Sequence, residues 1–174
     1  MLKIRDATVA DLAEIAKIYE HHVLHGSASF EITPPSEQEF RSRYENIKGA
    51  GYPYLVAEID GIIQGYAYAS AYRARHAYRF AVEDSIYVAP DMQGRGIGKM
   101  LLMALIGECE KLGFRQMIAV IGDSENAGSI ALHERCGFQH AGRFNGIGYK
   151  FGRWLDSVQM MRALGAGSSS APDV

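Results

Sequence analysis

Six residues in the middle of the chain, Gln93-Gly94-Arg95-Gly96-Ile97-Gly98, followed by Lys99, have the types and spacing to hold phosphate. Three alternating glycines let the backbone turn sharply and bring several N–H groups close to a ligand. They stand between a strand-like run, Asp84 to Val88, and a helix-like run from about Ile97 to Leu112. The start of that helix adds unpaired N–H groups and the positive end of its dipole, which favours an anion. Arg95 and Lys99 supply charge nearby. The spacing excludes two other phosphate loops. A Walker loop needs glycine where Gln93 stands and Ser or Thr where Met100 stands. A dinucleotide fingerprint would need its third glycine at Lys99.

Other constellations carry less. His21, His22 and His25 lie close together on a helical stretch, but no third ligand group stands at convincing spacing, and helix-surface histidines are the simpler reading. No Gly-x-Ser-x-Gly elbow exists for a serine hydrolase. Cys109 and Cys136 are too few for a disulfide framework and read as buried reduced thiols of a cytoplasmic protein. Met1-Leu2-Lys3-Ile4-Arg5-Asp6 has no signal-peptide core, in line with that location. A net charge of −2 gives no electrostatic reason to expect nucleic acid or an anionic membrane as partner.

The elements that must position the glycine run follow from periodicity. At 174 residues, 48% of them hydrophobic, the chain reads as one globular domain with a real core. Lys3 to Ala7 is a short strand, and Thr8-x-x-Asp11 opens a helix with Leu12, Ile15, Ile18, Tyr19 and Val23 on its apolar face. Pro34-Pro35-Ser36 precedes a second helix, Glu37 to Lys48. Tyr54 to Ile59 and Ile62 to Ser70 are strands joined at Asp60-Gly61, a hairpin signal. Ala81 to Val88 is a strand; Gln116 to Ile121 is apolar enough to be a strand covered on both faces. Asn126 can cap a helix ending at Gly137, and strand-like sequence resumes at Phe138. Residues 1–164 form the domain, and 165–174, rich in Gly, Ser and Ala, read as a disordered tail. The order describes an α+β or α/β domain around one mixed sheet.

Four segments, Glu83-Asp84-Ser85-Ile86-Tyr87-Val88, Gln93 to Gly98, Asn126-Ala127-Gly128-Ser129 and Leu132 to Phe138, together resemble the GCN5-related N-acetyltransferase (GNAT) superfamily. Tyr72-Arg73-Ala74-Arg75-His76-Ala77-Tyr78 and Lys150-Phe151-Gly152-Arg153-Trp154-Leu155-Asp156 are similar to the branch that acetylates phosphinothricin, methionine sulfone and methionine sulfoximine. The resemblance runs from about Ile4 to Leu164. It implies a mostly antiparallel sheet with a splayed parallel pair at its centre, acetyl-CoA as acetyl donor, no metal, a small amino-acid-like acceptor and a homodimer.

The resemblance also implies roles. Gln93, Gly94, Arg95, Gly96, Ile97, Gly98 and Lys99 would hold the pyrophosphate, and Ile86, Tyr87 and Val88 would pair their backbone with the pantetheine arm. Asn126 and Ser129 would contact the cofactor, with helix capping as the alternative. Glu83 takes the place of the catalytic glutamate; an amine attacks a thioester only when neutral, and a half-buried carboxylate can accept its proton. His133 falls where a histidine is assigned to catalysis or to cofactor contact, with a backbone-bonded helix histidine as the alternative. Arg73, Arg75 and Tyr78 would bind the acceptor, guanidinium meeting its carboxylate, with Phe30 and Glu31 closing the pocket. Acetylation of a peptide amine, or acyl-CoA binding without catalysis, are the competing functions.

Overall fold

The computed structural model describes residues 1–172. Seven strands form one sheet in the order β1-β2-β3-β4-β5-β7-β6. They are β1 (Leu2–Asp6), β2 (Tyr54–Ile59), β3 (Ile62–Ala71), β4 (Ala81–Val88), β5 (Gln116–Gly122), β6 (Gln139–Lys150) and β7 (Arg153–Ala163). All neighbours are antiparallel except β4 and β5. The connection between those two is the helix α3 (Ile97–Lys111), as a parallel crossover requires. Three further helices are α1 (Leu12–His25), α2 (Glu37–Gly49) and α4 (Ala127–Arg135).

Local chemistry explains the main turns. Asp60 (φ 51°) and Gly61 (φ 84°) both take the left-handed backbone that a two-residue hairpin turn between twisted strands needs. Phe151 (φ 54°) and Gly152 (φ 72°) repeat the device between β6 and β7. Ser36 caps α2 by accepting the Glu39 N–H at 3.2 Å, and Asn126 caps α4 by accepting the Ser129 N–H at 3.2 Å.

The sheet is covered unequally. On one face α3 places Leu101, Leu102, Leu105 and Ile106 against Val82, Met117 and Met160. On the other, α1 and α2 place Ile15, Ile18, Val23, Phe40 and Tyr44 against Tyr54, Val56 and Tyr66. That second cover stops short of β5. The apolar run 116–121 is therefore fully buried on one face, where Met117, Ala119 and Ile121 enter the core, and only partly covered on the other, where Ile118 is buried but Val120 is 40% exposed. The continuous apolar stretch reflects a strand beside an open cleft, not one enclosed on both sides.

The segment from residue 165, read above as a tail, folds back in turns with Gly167 N–H on Leu164 O and Ser169 N–H on Ala166 O. Arg115 anchors it by donating to Ser170 O at 2.9 Å. Residues 173 and 174, the end of that expected tail, lie outside the described residues.

One ion-pair cluster ties β1 to the start of α1. Arg5 donates to both carboxylate oxygens of Asp11 at 2.8 Å and to Glu58 at 2.7 Å, and Asp11 also accepts the Thr8 N–H at 2.7 Å. The Arg5 hydrogen bonds outweigh burial and, with Thr8, lower the Asp11 pKa from 3.8 to about 2. A depressed carboxylate contributes stability above its unfolded pKa and loses it as pH falls through the folded value. Asp11→Asn should cost about 2 kcal/mol at neutral pH. In urea titrations the gap to wild type should close between about pH 4 and pH 2; a pH-independent gap would refute the assignment.

Candidate active site

The site begins where two strands part. β4 and β5 pair only over Ala81–Asp84 and Gln116–Ala119, yet β4 runs on to Val88 and β5 to Gly122. On its other edge β4 stays paired with β3, with Tyr72 N–H on Ala81 O and Ala89 N–H on Gln64 O. Backbone groups alternate along a strand, so the N–H groups of Ile86 and Val88 point to the edge that β5 has left. A cleft of about 1080 Å³ opens there, lined among others by Glu83, Ile86, Tyr87, Asn126, Ser129 and His133.

The glycine run lies beyond the end of β4. A short turn, Pro90–Met92, leads to Gln93, and Gly94 (φ 74°) and Gly96 (φ 83°) hold left-handed conformations that side chains rarely adopt. Gly96 caps α3, whose first intrahelical bond is Met100 N–H to Gly96 O, so the Ile97, Gly98 and Lys99 amides are free for an anion. The Ile97 side chain is in the core, 2% exposed, and only its backbone can serve a ligand. Gly98 has a packing reason as well: a Cβ there would sit 3.2 Å from the Leu132 side chain on α4. Arg95 and Lys99 are exposed.

Glu83 lies in the cleft, half-buried. Burial first, then the charge of Asp84, raises its pKa above the usual 4.5, with Arg73 pulling the other way. Asp84 points to the opposite face of the strand and meets His133 of α4, Nε2 to Oδ2 at 3.0 Å, both side chains 2% exposed. The other ring nitrogen, Nδ1, donates to Ser129 O at 2.7 Å. Burial opposes a charged imidazole, but Asp84 and the Ser129 carbonyl outweigh it and raise the His133 pKa. Both ring nitrogens are thus engaged inside the protein, Nδ1 with backbone and Nε2 with Asp84. Asp84 Oδ1 is buried with no partner among the described residues.

The acceptor side gathers part of the expected set. Phe30, Arg73 and Tyr78 line the cleft with Glu83. Arg73 stacks over the Tyr72 ring at 5.2 Å, and Tyr72 meets Tyr78 edge-on at 5.7 Å. Arg75 does not line the cleft; it is exposed, and its carbonyl accepts the Tyr78 N–H in the turn that presents Arg73 and Tyr78. Glu31 is also elsewhere. Arg43 of α2 binds it with two hydrogen bonds, 3.0 and 2.7 Å, and Tyr19 donates to it. The Arg43 bonds, against burial and helped by Tyr19, hold its carboxyl below the usual range. These bonds tie the residue after Phe30 to α1 and α2.

Four contributors escaped sequence reasoning. Tyr72 and Asp84 stood inside quoted motifs, and only the fold aims them at the cleft and at His133. His22 is not a surface histidine: it donates to Val88 O at 2.9 Å, and burial lowers its pKa. Lys150 is 4% exposed and donates to Gly26 O and Ser29 O at 2.8 and 2.7 Å. A lysine before a hairpin turn carries no sequence signal of such burial.

Comparison with known proteins agrees with this geometry. The family described as Acetyltransferase (GNAT) domain matches residues 4–159. The chain is 53% identical to the phosphinothricin N-acetyltransferase of Alcaligenes faecalis, covering 94% of this chain and 83% of that protein. It is 40% identical to the L-methionine sulfoximine/L-methionine sulfone acetyltransferase of Salmonella typhimurium, over 99% of both. The crystal structure of a GNAT superfamily phosphinothricin acetyltransferase from Sinorhizobium meliloti, in complex with AcCoA, superposes with a TM-score of 0.96 at 53% identity, covering 99% of this chain and 93% of that one. A parted strand pair, a glycine-turned helix start and a sequence profile spanning nearly the whole chain agree, and the protein belongs to the GNAT acetyltransferase family.

Proposed function

We propose that this acetyltransferase moves the acetyl group of acetyl-CoA to the α-amine of a small amino acid or analogue of the phosphinothricin and methionine sulfone or sulfoximine type. The observation that carries the reading is Glu83, a half-buried carboxylate of raised proton affinity in one cleft with Arg73 and the free edge of β4. The similar proteins named above support the acceptor class.

The residues present suit acetyl-CoA. The free Ile97, Gly98 and Lys99 amides with Arg95 would hold its pyrophosphate, and the unpaired Ile86 and Val88 N–H groups its amide-bearing arm. Gln93, Gly94, Gly96 and Tyr87 shape that path, and the Asn126–Ser129 turn borders it. When bound, acetyl-CoA supplies a thioester open to attack by a neutral amine. Arg73 holds the acceptor carboxylate, and Tyr78 and Phe30 bound its side chain. Glu83 takes the ammonium proton, directly or through one water, and the Val88 N–H polarises the carbonyl under attack. No cysteine reaches the cleft, since Cys109 and Cys136 are buried, so transfer is direct. With both nitrogens of His133 engaged, water is the proton source for the leaving thiolate. The protein works in the cytoplasm as a homodimer. Phe144, Ile147, Tyr149 and Trp154, each more than half exposed on β6 and β7, supply the apolar surface for the second copy.

Coupled thiol release over a panel of free amino acids, methionine sulfone, methionine sulfoximine, phosphinothricin and N-terminal peptides tests the acceptor. Turnover confined to peptides would replace the reading, and binding of acetyl-CoA with no transfer to any amine would end it. Glu83→Gln should lower kcat by about 10²–10³ with acetyl-CoA binding retained. The base acts only when ionised, so wild-type kcat should fall as pH drops through the raised Glu83 pKa, and the variant should lack that limb. An equal pH profile in both would remove Glu83 from the role. For the assembly, Ile147→Asp should shift the mass by light scattering from two chains to one; a monomeric wild type would rule out the dimer.

A further inference from the structure

The loop between α1 and the segment leading to α2 carries Phe30 into the cleft, and its support is unusual. Lys150 lies at the end of β6, and its buried ammonium spends its two hydrogen bonds on main-chain carbonyls of that loop, Gly26 O and Ser29 O. From the opposite side Tyr19 OH shares a hydrogen bond with Ser29 Oγ at 2.9 Å, and Ser29 Oγ accepts the Glu31 N–H at 3.1 Å. Burying an ammonium to satisfy carbonyls is a costly way to gain stability, because an apolar contact would avoid the desolvation. What it provides is position.

The Phe30 ring occupies space that two glycines leave empty. A Cβ on Gly148 would lie 2.5 Å from Phe30 Cε2; one on Gly122 would lie 2.3 Å from the Ser27 carbonyl oxygen of the same loop and 2.9 Å from Phe30 Cε1. Neither glycine has a positive φ, so space, not backbone conformation, accounts for both. Gly148 is two residues before Lys150 on the same strand, so one strand holds the loop and seats the ring. Phe30 is 38% exposed and shares the cleft with Arg73 and Glu83.

We infer that Lys150 is a positioning residue for the acceptor. Its bridge to Gly26 and Ser29, with the bare α-carbons of Gly148 and Gly122, fixes the Phe30 wall and sets which acceptor side chains fit. This rests on the proposed amino-acid acetylation for its kinetic consequence but not for the mechanical one.

The test uses the full chain as Lys150→Met, Gly148→Ala, Phe30→Ala and the two double variants with Phe30→Ala. Lys150→Met and Gly148→Ala should each raise the acceptor KM about tenfold, with kcat and the acetyl-CoA KM within about twofold. Each should narrow the preference for methionine sulfone over bulkier amino acids. In the Phe30→Ala background neither should change the acceptor KM further, since the wall is already gone. Hydrogen exchange of the amides in 26–31 should be about tenfold faster in Lys150→Met, with β5 unchanged. Unchanged exchange and acceptor KM in a folded Lys150→Met would overturn the inference, as would a loss of kcat and both KM values together with a drop in Tm. Gly148→Ala keeps every Lys150 bond and displaces only the ring, so it tests the wall; if Lys150→Met fails to fold, Lys150→Gln, a shorter donor for the same two carbonyls, decides the matter by the same exchange and acceptor-KM readouts. A wild type that acetylates no amine would end the functional reading, and hydrogen exchange would still decide whether Lys150 holds the loop.

Discussion

A strand that loses its neighbour half-way must be held open at the fork, and here a buried Asp84–His133 pair does so. Asp84 is the last residue of β4 that pairs with β5, and its carboxylate meets an imidazole projecting from α4. The ring's second nitrogen returns to Ser129 O in the first turn of the same helix, which Asn126 caps. The pair thus fixes where α4 begins relative to where the strands divide. Taking either partner from such a pair leaves a buried polar group uncompensated, a cost of several kcal/mol. The parted edge, the free amides of β4 and the border formed by Asn126 and Ser129 all depend on this arrangement.

The fork also sets the electrostatics. Glu83 and Asp84 are consecutive, and strand alternation sends them to opposite faces. Asp84 is paired within the core with His133, while Glu83 faces the cleft. Burial first, then the nearby charge of Asp84, raises the proton affinity of Glu83, and Arg73 moderates it. Two adjacent acids therefore have separate places, one holding the fold and one facing the cleft. His22 adds a third restraint by binding Val88 O, which pins α1 to the free end of β4.

The strands and helices were largely legible from periodicity, because their apolar spacing reports which face is covered. Asp60-Gly61 read correctly as a hairpin because the turn needs two residues at positive φ. The apolar run 116–121 misled on one point. A strand that borders a cleft needs no polar residues on its open face when another surface or a ligand covers it, so composition alone could not distinguish a cleft from a core. Glu31 and Arg75 misled for another reason. Glu31 follows Phe30 and Arg75 lies two residues after Arg73, but the intervening loop backbone turns their side chains elsewhere, to Arg43 for Glu31 and to solvent for Arg75.

The proposed donor and acceptor sides differ in legibility because they are built differently. The donor side is mostly backbone: a free strand edge, two left-handed glycines and the amides of a helix start, consecutive from Ile86 to Lys99. Backbone geometry constrains the local sequence, so it leaves a motif. The acceptor side is assembled from the α1 loop, the segment after β3 and the β6–β7 hairpin, which meet only in the folded chain. Phe30 is placed by Gly122, Gly148 and Lys150, residues about 90 to 120 positions away in the chain, through contact and hydrogen bonding with no local signature. A change at any of those three positions would leave every donor motif intact while altering the room beside Arg73. On the proposed reading, acceptor preference can therefore diverge at such supporting positions without disturbing the motifs that identify the family.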